Sequence, residues 1–342
     1  GHTDAVLWDL SREHPALLNP GDKVKYVAVR ESLPLNPTSQ HPHLPPFQRG
    51  WQAKPDGGLS PAPQQTPAGT AYLEIITPGW LALIEDGGRP GMLGLGVSVS
   101  GAADQSALRA ANLALGNPPT TAAIETLGGL ELLAHGTVTV AVAPPAAPVQ
   151  VMQLSDGDTL QVPTPTTGVR SYVAVAGGIA VLPVLGNCST DLLSGIGPAP
   201  LRAGDVLLLA NPQQKPPNLP TPAPAPPTAE TLIRITLGPR DDWLTATALA
   251  SLTEQIWEVS NESNRVGLRL IGEPLQRAIT RELPSEGTQP GAIQVPPNGL
   301  PVVFLRDHPV TGGYPVVAVV AEEDLDILAQ TRPAENLRFV VA

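Results

Sequence analysis

Cysteine, lysine and charge are all scarce in this 342-residue sequence, and each scarcity removes a class of function. One cysteine, Cys188, excludes an internal disulfide and any cysteine-rich zinc site, and suits a reducing compartment. The four lysines, Lys23, Lys25, Lys54 and Lys215, all fall outside the stretches that read as folded lobes. Neither lobe therefore has an amine nucleophile or a biotin-bearing lysine of its own. Charged residues make up 15% and the net charge is -11, which argues against a nucleic-acid partner, because such binders need a basic face to release counterions. The apolar runs are too short or too proline-broken to span a bilayer, and no secretory signal opens the chain. A soluble, cytoplasmic protein with no membrane partner is expected.

What the sequence does hold is 41 prolines and 33 glycines, which point to many short strands joined by tight turns. A mainly β fold is expected, and the length favours two globular units. Two proline-rich segments, 32–70 with nine prolines and 211–229 with eight, read as extended linkers. They leave a short piece (1–31), a first lobe (71–210) and a second lobe (230–342). Strands are expected at "AYLEII", "TVTVAV", "RSYVAVAGG" and "DVLLLA" in the first lobe. In the second they are expected at "LIRITLG", "PVVFL", "YPVVAVV" and "LRFVVA". "SGAADQSALRAANLALGN" reads as a helix on the spacing of Ala107, Leu108, Ala111 and Leu115, with Ser100 as cap and Gly116 as stop. "DDWLTATALASL" and "EEDLDILAQ" read as short helices with acids in the first turn. "NPGDKVKYVAV" reads as a turn and strand that need a partner surface, since thirty residues bury no core alone.

The common catalytic signatures are missing: there is no GxxxxGK[ST] loop, GxGxxG turn, GxSxG elbow or HExxH helix, and no metal site is expected. Four stretches carry a resemblance instead. They are "LIEDGGRPGMLGLGVSVSGAADQSALRAANLALGN" with "AAIETLGG", "RSYVAVAGGIAVLPVLGNCSTD" with "LRAGDVL", "SNRVGLRLIG", and "SEGTQPGAIQVPPNGLPVVFLRDHPVTGGYPVVAVV". Together they resemble the biotin-dependent carboxyltransferase family, also called allophanate hydrolase subunit 2, which includes the C component of 5-oxoprolinase and the carboxyltransferase region of urea carboxylase. Residues 1–31 resemble the end of the companion B component, so the chain, which begins at Gly1, reads as the rear of a B–C fusion protein. The resemblance implies two cyclophilin-like β-barrel lobes with a cleft between them. It implies a part in an ATP-dependent 5-oxoprolinase, a hydrolase opening 5-oxoproline to glutamate with the fused B component and a separate A component. ATP with Mg2+ is then the cofactor. Two alternatives are carboxyl transfer to urea or a related amide, with carboxybiotin supplied by a partner, and a regulatory module antagonising a histidine-kinase inhibitor. A polar cleft favours an enzyme, and a large apolar patch without a pocket favours the regulator.

Candidate residues follow from the same motifs. Thr311, Gly312, Gly313 and Tyr314 come after an apolar strand, where paired glycines let backbone amides approach a ligand; the bland alternative is a glycine-rich hairpin with Tyr314 as packing. The resemblance favours a site, in which Asp307 and His308 serve as an acid/base pair and Tyr314 joins them as a catalytic group, although a His beside Pro309 is more often a turn residue. Gln294, on a short strand, offers an amide that can donate and accept toward a lactam or ureido group, or is simply buried. Ser285 and Glu286 supply a hydroxyl and a carboxylate, or a cap and a solvated turn. Asp86 and Arg89 flank a Gly-Gly turn, as an anion site or an internal clasp. Arg265 and Arg269 share a face whether helical or extended, as a clamp for carboxylate or phosphate or as surface ion pairs. Ser100, Gly101 and Asp104 begin the helix, where free amides attract an anion, though Asp104 would repel one and first-turn acids usually only stabilise the helix. Asn112 and Asn117 read as loop ties, and Cys188 as a small buried side chain.

Overall fold

Leu73 and Ile75 are buried while Tyr72 and Glu74 are not, and that two-residue period makes Tyr72–Pro78 a strand, β1. The computed structural model describes residues 12, 17, 18, 22–24, 70–211 and 231–342. The expected strand "NPGDKVKYVAV" and most of both linkers lie outside the described residues. The chain divides into two units, 1–51 and 52–342, and every element below lies in the second.

In the first lobe β1 is followed by β2 (Ala82–Glu85), α1 (Gln105–Ala114), β3 (Ala123–Thr126), β4 (Leu130–His135) and β5 (Val138–Ala143). Then come β6 (Gln150–Leu154), β7 (Thr159–Val162), β8 (Ser171–Val175) and β9 (Val206–Leu208). They form a four-stranded sheet, β7-β4-β1-β9, and a five-stranded sheet, β2-β3-β8-β5-β6. Both sheets face one core, with Leu73, Ile75 and Leu132 from one and Ile124, Val140 and Val173 from the other. Strand β8 is buried along its whole length because both its faces are covered. Val173 and Val175 join that core, whereas Tyr172 and Ala174 lie beneath α1. The α1 side is rich in alanine: Ala102, Ala111, Ala123, Ala141, Ala143 and Ala174 let helix and sheet approach closely.

The second lobe contains β10 (Thr231–Leu237), α2 (Ala246–Glu254), β11 (Trp257–Val259), β12 (Gly267–Ile271), β13 (Glu286–Gly287) and β14 (Ala292–Gln294). It continues with β15 (Val302–Phe304), β16 (Thr311–Gly312), β17 (Val316–Val320), α3 (Leu325–Gln330) and β18 (Asn336–Val341). Seven of these strands close into a barrel, β10-β17-β14-β15-β12-β11-β18, and the parallel pair β10–β18 completes it. Closure leaves no open edge, and Trp257, Phe339 and Leu252 fill the interior. The mainly β expectation holds, with a closed barrel in one lobe and two sheets around one core in the other.

The eight strands quoted for the two lobes, the short strand of Gln294 and the three helical segments are present, with two adjustments of detail. Helix α1 is capped by Asp104, whose side chain accepts from the Ala107 amide, not by Ser100. Ser100 instead stands at φ 50° and is drawn into the lobe junction. Asp241 and Asp242 sit in a separate 3-10 turn, and Thr245 caps α2 in their place.

Candidate functional site

The two lobes are joined by charges that neither could bury alone. Arg265, just before β12, is 3% exposed and reaches across to Glu125 on β3 at 2.5 Å, to Glu85 on β2 at 3.3 Å and to the Gly101 carbonyl at 2.6 Å. Its Nε also donates to Asp307 in its own lobe at 2.9 Å. Asp307 returns the link, accepting from Ser100 Oγ at 2.8 Å and from the Leu192 amide at 3.3 Å, both in the first lobe. Glu125 further accepts from the Ala103 amide and the Tyr172 hydroxyl and pairs with Arg170.

Three acids, Glu85, Glu125 and Asp307, thus share two guanidinium groups, Arg265 and Arg170. Burial pushes Glu125 up, but Arg265 and Arg170 outweigh it and hold it below the ordinary carboxylate value. Burial also pushes Glu85 up, and Arg265 does not compensate, so its carboxyl lies well above the ordinary value. Burial pushes Asp307 up as well, against the pull of Arg265. Arg265 loses by burial but gains more from Asp307, Glu125 and Glu85, and stays charged.

A second seam runs through α1. The amides of Gln105 and Ser106 donate to the Asp326 carboxylate of α3 at 2.9 and 3.1 Å. The free amides at this helix start are met by a carboxylate of the protein itself. Gln330 adds bonds to Asp104 and to the amides of Val169 and Arg170.

Between these seams, loops of both lobes line an open pocket of about 210 Å3, with Gly96, Ser98, Asp191, Ser194, His308 and Thr311 among its residues. Ser98 Oγ donates to Asp191 Oδ2 at 2.7 Å, while Asp191 Oδ1 accepts the amides of Leu193 and Ser194 and fixes that loop. His308 is fully buried, with Nδ1 2.8 Å from the Pro309 carbonyl and its ring stacked on Phe304. Its Nε2 has no hydrogen-bond partner among the described residues. Burial lowers the imidazole below its ordinary value, keeping it neutral near pH 7. A larger depression of about 510 Å3 on the barrel, lined by Leu275, Arg277 and Asn298, contains none of the candidate residues.

The predicted residues separate into three groups. His308 and Thr311 line the junction pocket. Asp307 and His308, though adjacent, are not joined as a pair: the first is held by Arg265 and the second by the Pro309 carbonyl. Gln294 is buried and donates to the Tyr314 carbonyl at 3.1 Å, with Gly312 pressed so close that a Cβ there would collide with its side-chain amide. Gly313 and the Tyr314 side chain face solvent. Glu286 pairs with Gly312 in the β13–β16 ladder, its carboxylate held by Arg240, and Ser285 is exposed.

The arginine clamp is not formed. Arg265 precedes β12 and is buried among acids, whereas Arg269, inside it, is 57% exposed, so the two do not share a face. Asp86 and Arg89 do not bond each other either; both anchor the 184–189 segment. Asp86 accepts the Gly88 and Cys188 amides, and Arg89 donates to the Val184 and Ser189 carbonyls with Nη1 left unpartnered among the described residues. Neither Arg89 nor Arg265 is free to hold a phosphate. Among the described residues no lysine or arginine lines the junction cavity, and the lining does not fit a triphosphate. Cys188 is half-buried, with its thiol pushed up by burial. Asn117 ties to Asn112 and to the Val175 carbonyl, as expected of a loop tie.

Sequence reasoning missed Ser98, Asp191, Glu85, Glu125 and Arg170. "STD" and "IED" gave no local signal, because their partners lie on the other loop or lobe.

Known proteins place this arrangement. The carboxyltransferase domain, subdomains A and B, matches residues 95–341. The chain is 37% identical over 282 residues to the 5-oxoprolinase C component of Escherichia coli, covering 78% of this chain and 90% of that one. It is 31% identical over 306 residues to urea amidolyase of Lachancea kluyveri, covering 78% of this chain but 17% of that one. The crystal structure of TTHA0988 superposes with a TM-score of 0.75 at 30% identity, over 98% of this chain. This chain spans 64% of that longer one. The protein is thus a member of the carboxyltransferase domain family, subdomains A and B.

Proposed function

We propose that this chain is the C component of an ATP-dependent 5-oxoprolinase, which opens 5-oxoproline to glutamate, and that its part in the reaction is played at the lobe junction. One observation carries the reading: the likeness to the E. coli 5-oxoprolinase C component runs over 90% of that protein. The likeness to urea amidolyase takes in 17% of a much larger enzyme. A pocket at the junction of two docked lobes, with Ser98, Asp191 and Ser194 set among apolar groups, supports an enzyme over a regulatory module.

Within this chain the chemistry is positioning and proton handling. His308 offers a neutral imidazole, Ser98 and Asp191 a hydrogen-bonded hydroxyl and carboxylate, and Ser194 and Thr311 further hydroxyls. ATP with Mg2+ supplies the energy for ring opening, and in this reading a partner protein binds it. The companions are a B-like domain, fused upstream, and a separate A component, all in the cytoplasm. Carboxyl transfer from a partner's carboxybiotin to urea is the second reading, favoured by the shared match to urea amidolyase.

The test is 5-oxoproline-dependent ATP hydrolysis by this chain with its A and B companions. Glutamate formed with ADP supports the reading. Urea-dependent consumption of carboxybiotin, with 5-oxoproline left intact, replaces it with the second.

A further inference from the structure

Arg234, Arg240, Arg265 and Arg269 of the barrel lobe are each answered by an acid. Arg277 and Arg281 are held differently. Their guanidinium groups lie 5.4 and 5.6 Å from the ring centroid of Trp243, and among the described residues neither forms an ion pair. Trp243 is 2% exposed, so a fixed indole gathers two like charges, whose mutual repulsion a bound anion would relieve. Arg277 is also oriented. Its Nε donates to the Ile279 carbonyl at 3.2 Å and its Nη2 to the Arg281 carbonyl at 3.4 Å. That leaves hydrogens on both Nη atoms, the end-on pair that grips two oxygens of one anion.

Arg277 lines the open pocket of about 510 Å3 on the barrel, with Pro274, Leu275, Thr280, Pro297 and Asn298. Two straps shape it: the Leu275 amide donates to the Gly299 carbonyl at 2.9 Å, and the Thr245 amide to the Gln276 carbonyl at 3.1 Å. Asn298 Oδ1 accepts the Leu300 amide at 3.1 Å, which leaves its NH2 as a donor, and Thr280 adds a hydroxyl. In a chain of net charge -11, no aspartate or glutamate is among the residues lining this pocket. Its volume falls in the roughly 300–1,000 Å3 range of small-molecule sites, and Pro274, Leu275 and Pro297 offer an apolar wall.

We propose that this pocket is an anion site for the phosphoryl group of a small phosphate compound, gripped end-on by Arg277, with Thr280 and Asn298 donating and Arg281 beside it supplying the second positive charge. A phosphoryl group suits the pocket better than a carboxylate, because it brings nearly two negative charges and three acceptor oxygens to two cations and several donors. The pocket shares no residue with the one at the lobe junction, so the inference does not depend on the reaction proposed there.

The experiment uses the full chain at low ionic strength, where exposed charges are least screened, and four probes: inorganic phosphate, ribose 5-phosphate, phenyl phosphate and acetate. Calorimetry should show the phosphates binding and acetate binding about tenfold more weakly. Equal affinity for the three phosphates identifies free phosphate as the ligand, and tighter binding of either ester identifies an organic phosphate. Arg277→Gln should weaken phosphate binding about tenfold, and Arg281→Gln, at an exposed side chain that can be lost with the fold intact, about threefold. Arg202→Gln removes the same charge from the surface of the first lobe and should leave the affinity within about twofold. Thermal midpoints check the fold of each variant, and Arg281→Gln decides the matter if Arg277→Gln unfolds. Absence of phosphate binding, acetate bound as tightly as phosphate, affinity unchanged by Arg281→Gln, or an equal loss in Arg202→Gln would overturn the proposal.

Discussion

Arg265 of the barrel and Glu125 of the first lobe meet at 2.5 Å with both side chains 3% exposed, and the lobe junction is organised around that contact. The Arg265 fork also holds Asp307 and the Gly101 carbonyl, so one guanidinium satisfies acceptors on three segments.

Arg265→Met should therefore cost about 3–5 kcal/mol, the usual penalty for leaving buried charge unpaired. Arg265→Lys should recover only part of it, because an ammonium lacks the planar fork. Urea unfolding midpoints measure both; a loss under about 1 kcal/mol for the methionine variant would contradict the role given to this residue.

The acids around Arg265 should respond unequally. Glu85, lifted above its ordinary value by burial, costs the folded state stability as pH rises, so Glu85→Gln should leave stability at neutral pH unchanged or raise it. Glu125→Gln removes a charge bound to two arginines and should cost about 3 kcal/mol or more. The sign with pH follows. The folded state binds the Glu85 proton more tightly than the unfolded chain, so its contribution falls as pH rises from 4.5 toward the folded value. Glu85→Gln should flatten that part of the stability profile.

His308 should titrate below 6.5, because burial disfavours its charged form more than the Pro309 carbonyl and Asp307 favour it. Its contribution to stability is present above the unfolded value and is lost as pH falls through the folded one. A histidine NMR titration measures this directly. An apparent value at or above 6.5 would contradict a buried, neutral imidazole.

How much of this was legible beforehand depended on the range of the interaction. Strands such as Ser171–Val175 and Val316–Val320 announced themselves through β-branched runs, and α1 through the spacing of Leu108, Ala111 and Leu115. The cap was misplaced because Ser100 and Asp104 are both good capping residues. What decided between them was Asp307, 207 residues from Ser100. The Arg265–Arg269 clamp failed for a similar reason. Alternation governs residues within a strand, and Arg265 lies just before β12 begins. His308 was found from its motif, whereas Ser98 and Asp191, 93 residues apart, become a pair only when two loops meet.

Gly88 and Gly101 make one more test possible. Each has positive φ, 87° and 90°, and they pack back to back, so that a Cβ on Gly101 would lie 2.7 Å from the Gly88 nitrogen. Gly101→Ala should cost roughly 2–5 kcal/mol from left-handed strain and overpacking together. A thermal shift would measure it, and an unchanged midpoint would contradict the tight loop packing beside the Arg265 seam.

The most direct measurement is steady-state turnover of 5-oxoproline by the complex assembled with its A and B companions, comparing wild type with Ser98→Ala and His308→Gln. The account predicts ATP-dependent formation of glutamate by wild type and at least a tenfold loss of kcat/KM in both variants. Wild-type turnover that survives both changes would contradict a working site at the lobe junction. The absence of any 5-oxoproline turnover would contradict the proposed reaction itself.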